Sequence, residues 1–165
     1  MRELSEKELA DLILEEIRTC TSLIICIGTR FRSDDAAALK LCSILRDLTE
    51  EEKIILCEEG LENCLDRIMR KKPERLLILD SAALGVENAG RVFLMDLEDL
   101  DEKIVWSHRI PISMVLRILK ASAPLKKITI IGIGGERFYI GEELSPPVKR
   151  FISSMNLILR EYTEI

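Results

Sequence analysis

Short runs of apolar, largely β-branched residues recur along the chain, and they decide what it can fold into. The first, SLIICIG at 22–28, has almost no polar alternation and is closed by Gly28. A run of that kind belongs to a strand covered on both faces, because a strand with one wet face alternates polar and apolar residues. Further runs follow at 53–59 (KIILCEE), 74–80 (ERLLILD), 91–96 (RVFLMD) and 126–134 (KKITIIGIG). The segments between them carry the helical period. Ser5 stands three residues before Glu8 in a capping box, with Leu4 and Leu9 at the staple positions. Leu9, Ile13, Ile17 and Cys20 then recur at helical spacing, which predicts a helix over 6–19. Leu41, Ile44, Leu45 and Leu48 mark a second helix, and 61–71 and 111–121 the next two. Ser145 and Pro146 open a last one, with Val148, Phe151, Ile152, Met155 and Leu159 on one face. Doubly covered strands alternating with amphipathic helices predict an α/β fold in three layers: a mainly parallel, twisted sheet of about five strands flanked by helices.

Composition fits one domain over 1–165. The chain has 165 residues, 47% hydrophobic and 32% charged, against a usual domain of about 100–150 residues. Five prolines and eight glycines are too few for a flexible linker. The net charge is −5, from 24 basic and 29 acidic residues, and no Lys/Arg cluster provides a nucleic-acid footprint. No window reaches the roughly 18–20 apolar residues of a membrane span, and the opening MRELSEKELADLILEE is charged throughout, unlike a signal peptide. Neither a nucleic-acid nor a membrane partner is therefore expected, and the cytoplasm is the expected location. Cys20, Cys26, Cys42, Cys57 and Cys64 are odd in number and contain no CxxC pair, so they are expected to be reduced.

In open α/β sheets the functional groups gather outside the carboxyl ends of the strands. The first run leads into GTRFRSDD, with Asp34 and Asp35; the second ends in Glu58 and Glu59; the third ends in Asp80; and the loop after the fourth carries His108. His108 is the only histidine, so a His-rich zinc site within one chain is impossible. Two or three carboxylates with one imidazole suit a divalent metal of intermediate hardness such as nickel, zinc or iron. Each residue also has an ordinary use. Asp34 or Asp35 caps the following helix, and for Asp34 this use suffices. Asp80 is a turn-former as readily as a site residue, Glu59 sits in a solvated turn before Gly60, and His108 lies in WSHRIP at a helix start.

Two rival chemistries fit the residues less well. GTRFRSDDAA contains neither GxGxxG nor GxxxxGK[ST], and its aspartates would repel a phosphate from the helix N-terminus. GIGGE at 132–136 has no phosphate-loop lysine and reads as a close backbone approach at a strand end. A hydrolase using Ser81 or Cys57 as nucleophile with His108 as base lacks GxSxG and any elbow glycine before Ser81.

The order of the segments IICIGTRFRSDD, EEGLEN, LLILDSAALGVENAGRV, SHRIPISMVL and IIGIGGERFYIGEELSPPVKRFI resembles the hydrogenase maturation endopeptidases over residues 22 to 155. These enzymes trim the C-terminus of the large subunit of nickel-iron hydrogenases. The resemblance implies a phosphorylase/hydrolase-like αβα fold and an endopeptidase whose partner is the large-subunit precursor. It also implies that Asp35, Asp80 and His108 are the catalytic and metal residues, through their recognition of nickel. The nickel comes already inserted in the precursor, whose cysteine thiolates supply its remaining ligands. The chain departs from the family pattern at Thr29 (usually Asn), Ala36 and Ala38 (usually Gly), Ser107 (usually Thr) and Ala89 (usually Pro), and Glu136 is displaced. The altered first loop suggests a second reading, a non-catalytic relative that binds a metal-loaded partner or a small ligand.

Overall fold

A computed structural model describes residues 1–58, 60–96, 99 and 110–164. Its strands are β1 (Arg2–Leu4), β2 (Ser22–Gly28), β3 (Ile54–Glu58), β4 (Arg75–Ala82), β5 (Val92–Met95) and β6 (Lys127–Gly134). Its α-helices are α1 (Glu6–Arg18), α2 (Ala37–Leu48), α3 (Leu65–Lys71), α4 (Ile112–Ser122) and α5 (Pro146–Thr163). The strands form one sheet in the order β1-β5-β6-β4-β2-β3. The block β3-β2-β4-β6 is parallel, as expected of strands joined through helices.

The sheet differs from the expected five strands at one edge. β1 is a sixth strand, antiparallel to β5, with Leu4 opposite Val92. Three residues are too few to display an alternation, so it is invisible in sequence. β5 is itself antiparallel to β6. The chain passes from β4 to β5 without the helical crossover that a parallel pairing requires.

Two cores confirm that the central strands are covered on both faces. Ile24, Cys26, Leu77, Leu79, Ile131 and Ile133 face one layer with Leu9 and Ile13 of α1, Leu41 and Leu45 of α2, and Phe151 and Met155 of α5. Leu23, Ile25, Ile27, Leu76, Ile78 and Ile130 face the other, with Ile68 of α3 and Val115, Leu116 and Leu119 of α4. Successive strand residues alternate between the layers, which is why the runs read as continuously apolar.

The start of α1 follows its local chemistry. Ser5 and Glu8 make the reciprocal bonds of the capping box ahead of α1, at 3.1 and 2.7 Å. The helix expected over 61–71 begins instead as a 3-10 turn, Leu61–Cys64, and becomes α-helical from Leu65.

At the amino ends of the strands, Glu16 of α1 is buried against Arg75 of β4, whose Nε lies 3.1 Å from Oε2. Ser22 also donates to that carboxylate. These bonds anchor α1 to the sheet at the end opposite the expected site.

Candidate functional site

Beyond Gly28 the chain leaves β2 and winds into a 3-10 turn, Ser33–Ala36, that runs directly into α2. Gly28 is needed there because a Cβ at this position would collide with the carbonyl oxygen of Asp35. Ser33 adopts φ 49°, the left-handed region that side chains disfavour. Its N–H donates to the Gly141 carbonyl at 2.8 Å, which holds it in place.

Asp34 does not cap a helix. Neither the 3-10 turn nor α2 has a side-chain cap. The Asp34 carboxylate is fully buried and accepts four hydrogen bonds from the segment after β6. Oδ2 takes the N–H groups of Glu136 and Arg137 at 2.9 and 3.0 Å and the Ser145 hydroxyl at 2.7 Å, and Oδ1 takes the Ser145 N–H at 2.8 Å. Its backbone adds two more links: the N–H donates to the Arg137 carbonyl at 2.9 Å, and the carbonyl accepts the Ser81 hydroxyl at 2.7 Å. A buried charge is tolerable only with such partners. The ordinary capping role expected for Asp34 therefore gives way to a clasp joining β2, β4 and the 135–145 segment. Gly135 belongs to the same packing, since a Cβ there would come within 2.8 Å of the Asp34 Cβ.

Asp35 and Asp80 are also fully buried. The Ser81–Asp34 bond joins the segments that carry them, because Asp35 follows Asp34 and Asp80 precedes Ser81. β4 does not stop at Asp80, as the sequence suggests, but continues to Ala82. Asp80, Ser81 and Ala82 pair with Gly132, Ile133 and Gly134. The Asp80 Oδ1 accepts the Ser81 N–H at 2.8 Å. By alternation Asp80 shares the face of Ile78 and Ala82, which α4 covers. Ile112, the first residue of α4, follows His108 by four positions in sequence.

His108 lies outside the described residues, as does Glu59. Among the described residues no group of three His, Cys, Asp or Glu side chains could hold a metal ion. Asp35 and Asp80 are buried carboxylates on neighbouring segments, and carboxylate oxygens suit a hard or intermediate cation better than an anion. Glu58 is exposed and ion-paired with Arg30.

Both rival nucleophiles are engaged elsewhere. The Ser81 hydroxyl donates to the Asp34 carbonyl, and the buried Cys57 lies against Cys64. Cys26 of β2 likewise lies against Cys42 of α2, and Cys20 is exposed. The fold brings these four cysteines together in pairs from separate elements. Two departures from the family pattern are readily accommodated. Ala36, at φ −84° and ψ −3°, has helical backbone that needs no glycine, and Ala89 has φ −62°, the value a proline would fix.

An αβα sandwich on a mainly parallel sheet, with Asp35 and Asp80 buried beyond or at the carboxyl ends of β2 and β4, defines the class: an open α/β fold. A family model described as "HycI: Hydrogenase maturation protease" matches residues 39–161. The chain belongs to the hydrogenase maturation protease family. The matched stretch contains Asp80 and His108 and begins just after Asp35.

Solved structures agree in fold. The crystal structure of the NiFe hydrogenase maturation protease HycI from Thermococcus kodakarensis KOD1 is similar with a TM-score of 0.72 and 22% identity, covering 93% of this chain and 99% of that one. The solution structure of the endopeptidase HycI from Escherichia coli has a TM-score of 0.68 and 22% identity, covering 86% and 90%. HybD from Thermococcus kodakarensis, also a NiFe hydrogenase maturation protease, has a TM-score of 0.62 and 25% identity, covering 86% and 98%. No curated protein matches the chain at a significant level.

Proposed function

We propose that this chain is an endopeptidase that removes the C-terminal extension of a nickel-iron hydrogenase large-subunit precursor after nickel has been inserted. The observation that supports the reading is that two buried carboxylates, Asp35 and Asp80, stand on segments joined by the Ser81–Asp34 bond, within a chain of the maturation protease family.

Nickel in this reading is cargo of the precursor. Asp35 and Asp80 offer carboxylate oxygens and His108 an imidazole nitrogen, and the precursor's cysteine thiolates complete the shell. A mixed, incomplete oxygen and nitrogen donor set suits a metal that arrives with ligands of its own. The reaction is hydrolysis of one peptide bond. Water adds its hydroxyl to the carbonyl carbon, the C–N bond breaks, and the amine leaves with the proton. We assign the reaction to the cytoplasm, and among the described residues no helix is long and apolar enough to cross a membrane.

The test is incubation with the cognate nickel-loaded precursor, followed by intact-mass measurement. A single shortened product is expected, with its rate reduced by about a hundredfold or more in Asp80→Asn and in His108→Ala. An unchanged precursor mass with the intact protein contradicts the reading.

A further inference from the structure

The loops after β2 and β6 close on each other beside the aspartates. The Gly141 N–H donates to the Phe31 carbonyl and the Ser33 N–H to the Gly141 carbonyl, each at 2.8 Å, and Arg32 and Gly141 form an isolated parallel bridge. Arg32 Nε donates to the Phe138 carbonyl at 3.2 Å. The Asp34 carboxylate holds the same loop at Glu136, Arg137 and Ser145. This tethered backbone nevertheless turns three large apolar side chains into solvent: Phe31 at 62% exposure, Tyr139 at 62% and Ile140 at 88%.

Large apolar groups held outward on a restrained backbone are costly to leave wet and lose little freedom when covered. Their position selects the occupant, because they belong to the two loops that frame Asp34 and Asp35. Taking roughly 200 Å² for a large side chain, the three expose about 400 Å² together. That is well short of the about 800 Å² per partner of a stable dimer, and is of a size for a short polypeptide segment.

We propose that Phe31, Tyr139 and Ile140 form the docking surface for an apolar segment of the precursor polypeptide. The proposal rests on the endopeptidase reading for the identity of that polypeptide. The surface holds the substrate chain against the site and takes no part in bond breaking, so its loss weakens binding and spares turnover.

The test compares the intact protein with a triple variant, Phe31→Ser, Tyr139→Ser and Ile140→Ser. Its control is Leu157→Ser, at a residue 71% exposed on α5. Calorimetry gives the affinity for the nickel-loaded precursor, kinetics separate KM from kcat, and thermal unfolding checks the fold. The triple variant is expected to weaken affinity and raise KM by about tenfold or more, with kcat within about twofold and the control unchanged. If the triple variant melts lower, the three single variants, each at a solvent-exposed side chain, carry the same comparison. Cleavage by the intact protein with no change of KM or affinity in the variants overturns the docking surface and leaves the endopeptidase reading standing. Binding without cleavage by the intact protein, weakened in the variants, overturns the endopeptidase reading and supports the surface. Absence of any precursor binding by the intact protein overturns both.

Discussion

Asp34 receives both the backbone N–H and the hydroxyl of Ser145, at 2.8 and 2.7 Å, across a separation of 111 residues. With the N–H groups of Glu136 and Arg137 on the same carboxylate, the link fixes the loop after β6 onto the turn that carries Asp35.

Replacing Asp34 by Asn removes one acceptor oxygen and places an NH2 among buried donors. Each donor left unpaired in the interior costs about 1–3 kcal/mol, so Asp34→Asn is expected to lose about 3 kcal/mol of stability. Urea unfolding measures it. A loss under about 1 kcal/mol contradicts the clasp.

Gly28→Ala drives a Cβ into the carbonyl oxygen of Asp35, in a region already close-packed. Overpacking of this kind costs about 1–3 kcal/mol. Because the atom that must give way belongs to Asp35, precursor cleavage is expected to fall at temperatures where circular dichroism still reports a folded chain. Full cleavage activity in the folded variant counts against the role of that turn.

The Glu16–Arg75 pair contributes to acid stability. Burial pushes the Glu16 carboxyl up, but hydrogen bonds from Arg75 and Ser22 outweigh it and hold the group below its ordinary value. The Arg75 guanidinium is raised in return, chiefly by its bond to Glu16. A carboxyl whose pKa is lower folded than unfolded stabilises the fold above the unfolded value of about 4.3, and that contribution fades as pH falls through the folded value. The stability difference between the intact protein and Glu16→Gln is therefore expected to be constant near neutrality and to shrink below about pH 4. Unfolding free energies across that range decide it, and a difference that does not change with pH contradicts the pairing.

Much of this architecture is written locally. Ile24, Cys26 and their neighbours Leu23, Ile25 and Ile27 are apolar because two different layers cover them, and that makes β2 legible as a run. Ser5 and Glu8 announce α1 through a bond between residues three apart. What escapes is decided by distant partners. β1 exists because Val92 and Phe93 offer it an edge, and β4 extends past Asp80 because Ile133 and Gly134 continue alongside Ser81 and Ala82. Asp34 looks like a cap because the N–H groups that claim it lie a hundred residues downstream. The same holds for the cysteine pairs, whose members sit on facing elements and not in a CxxC spacing.

The candidate site is legible in part for the same reason. Asp80 closes an apolar run and Asp35 lies in the loop that follows one, and the strand-end rule singles out both as candidates. The segments that carry them are linked by the Ser81–Asp34 bond, which no spacing announces. The surface made by Phe31, Tyr139 and Ile140 is likewise hidden, because only the bridge between Arg32 and Gly141 puts the two loops side by side.

In the proposed function Asp35, Asp80 and His108 read nickel carried by the precursor. The most direct measurement is the cleavage rate of one precursor prepared with and without nickel, followed by mass spectrometry with the intact protein. A single C-terminal truncation of the nickel-loaded form, with the nickel-free form left whole, is the predicted result. Equal cleavage of both forms, or none of the loaded one, contradicts it.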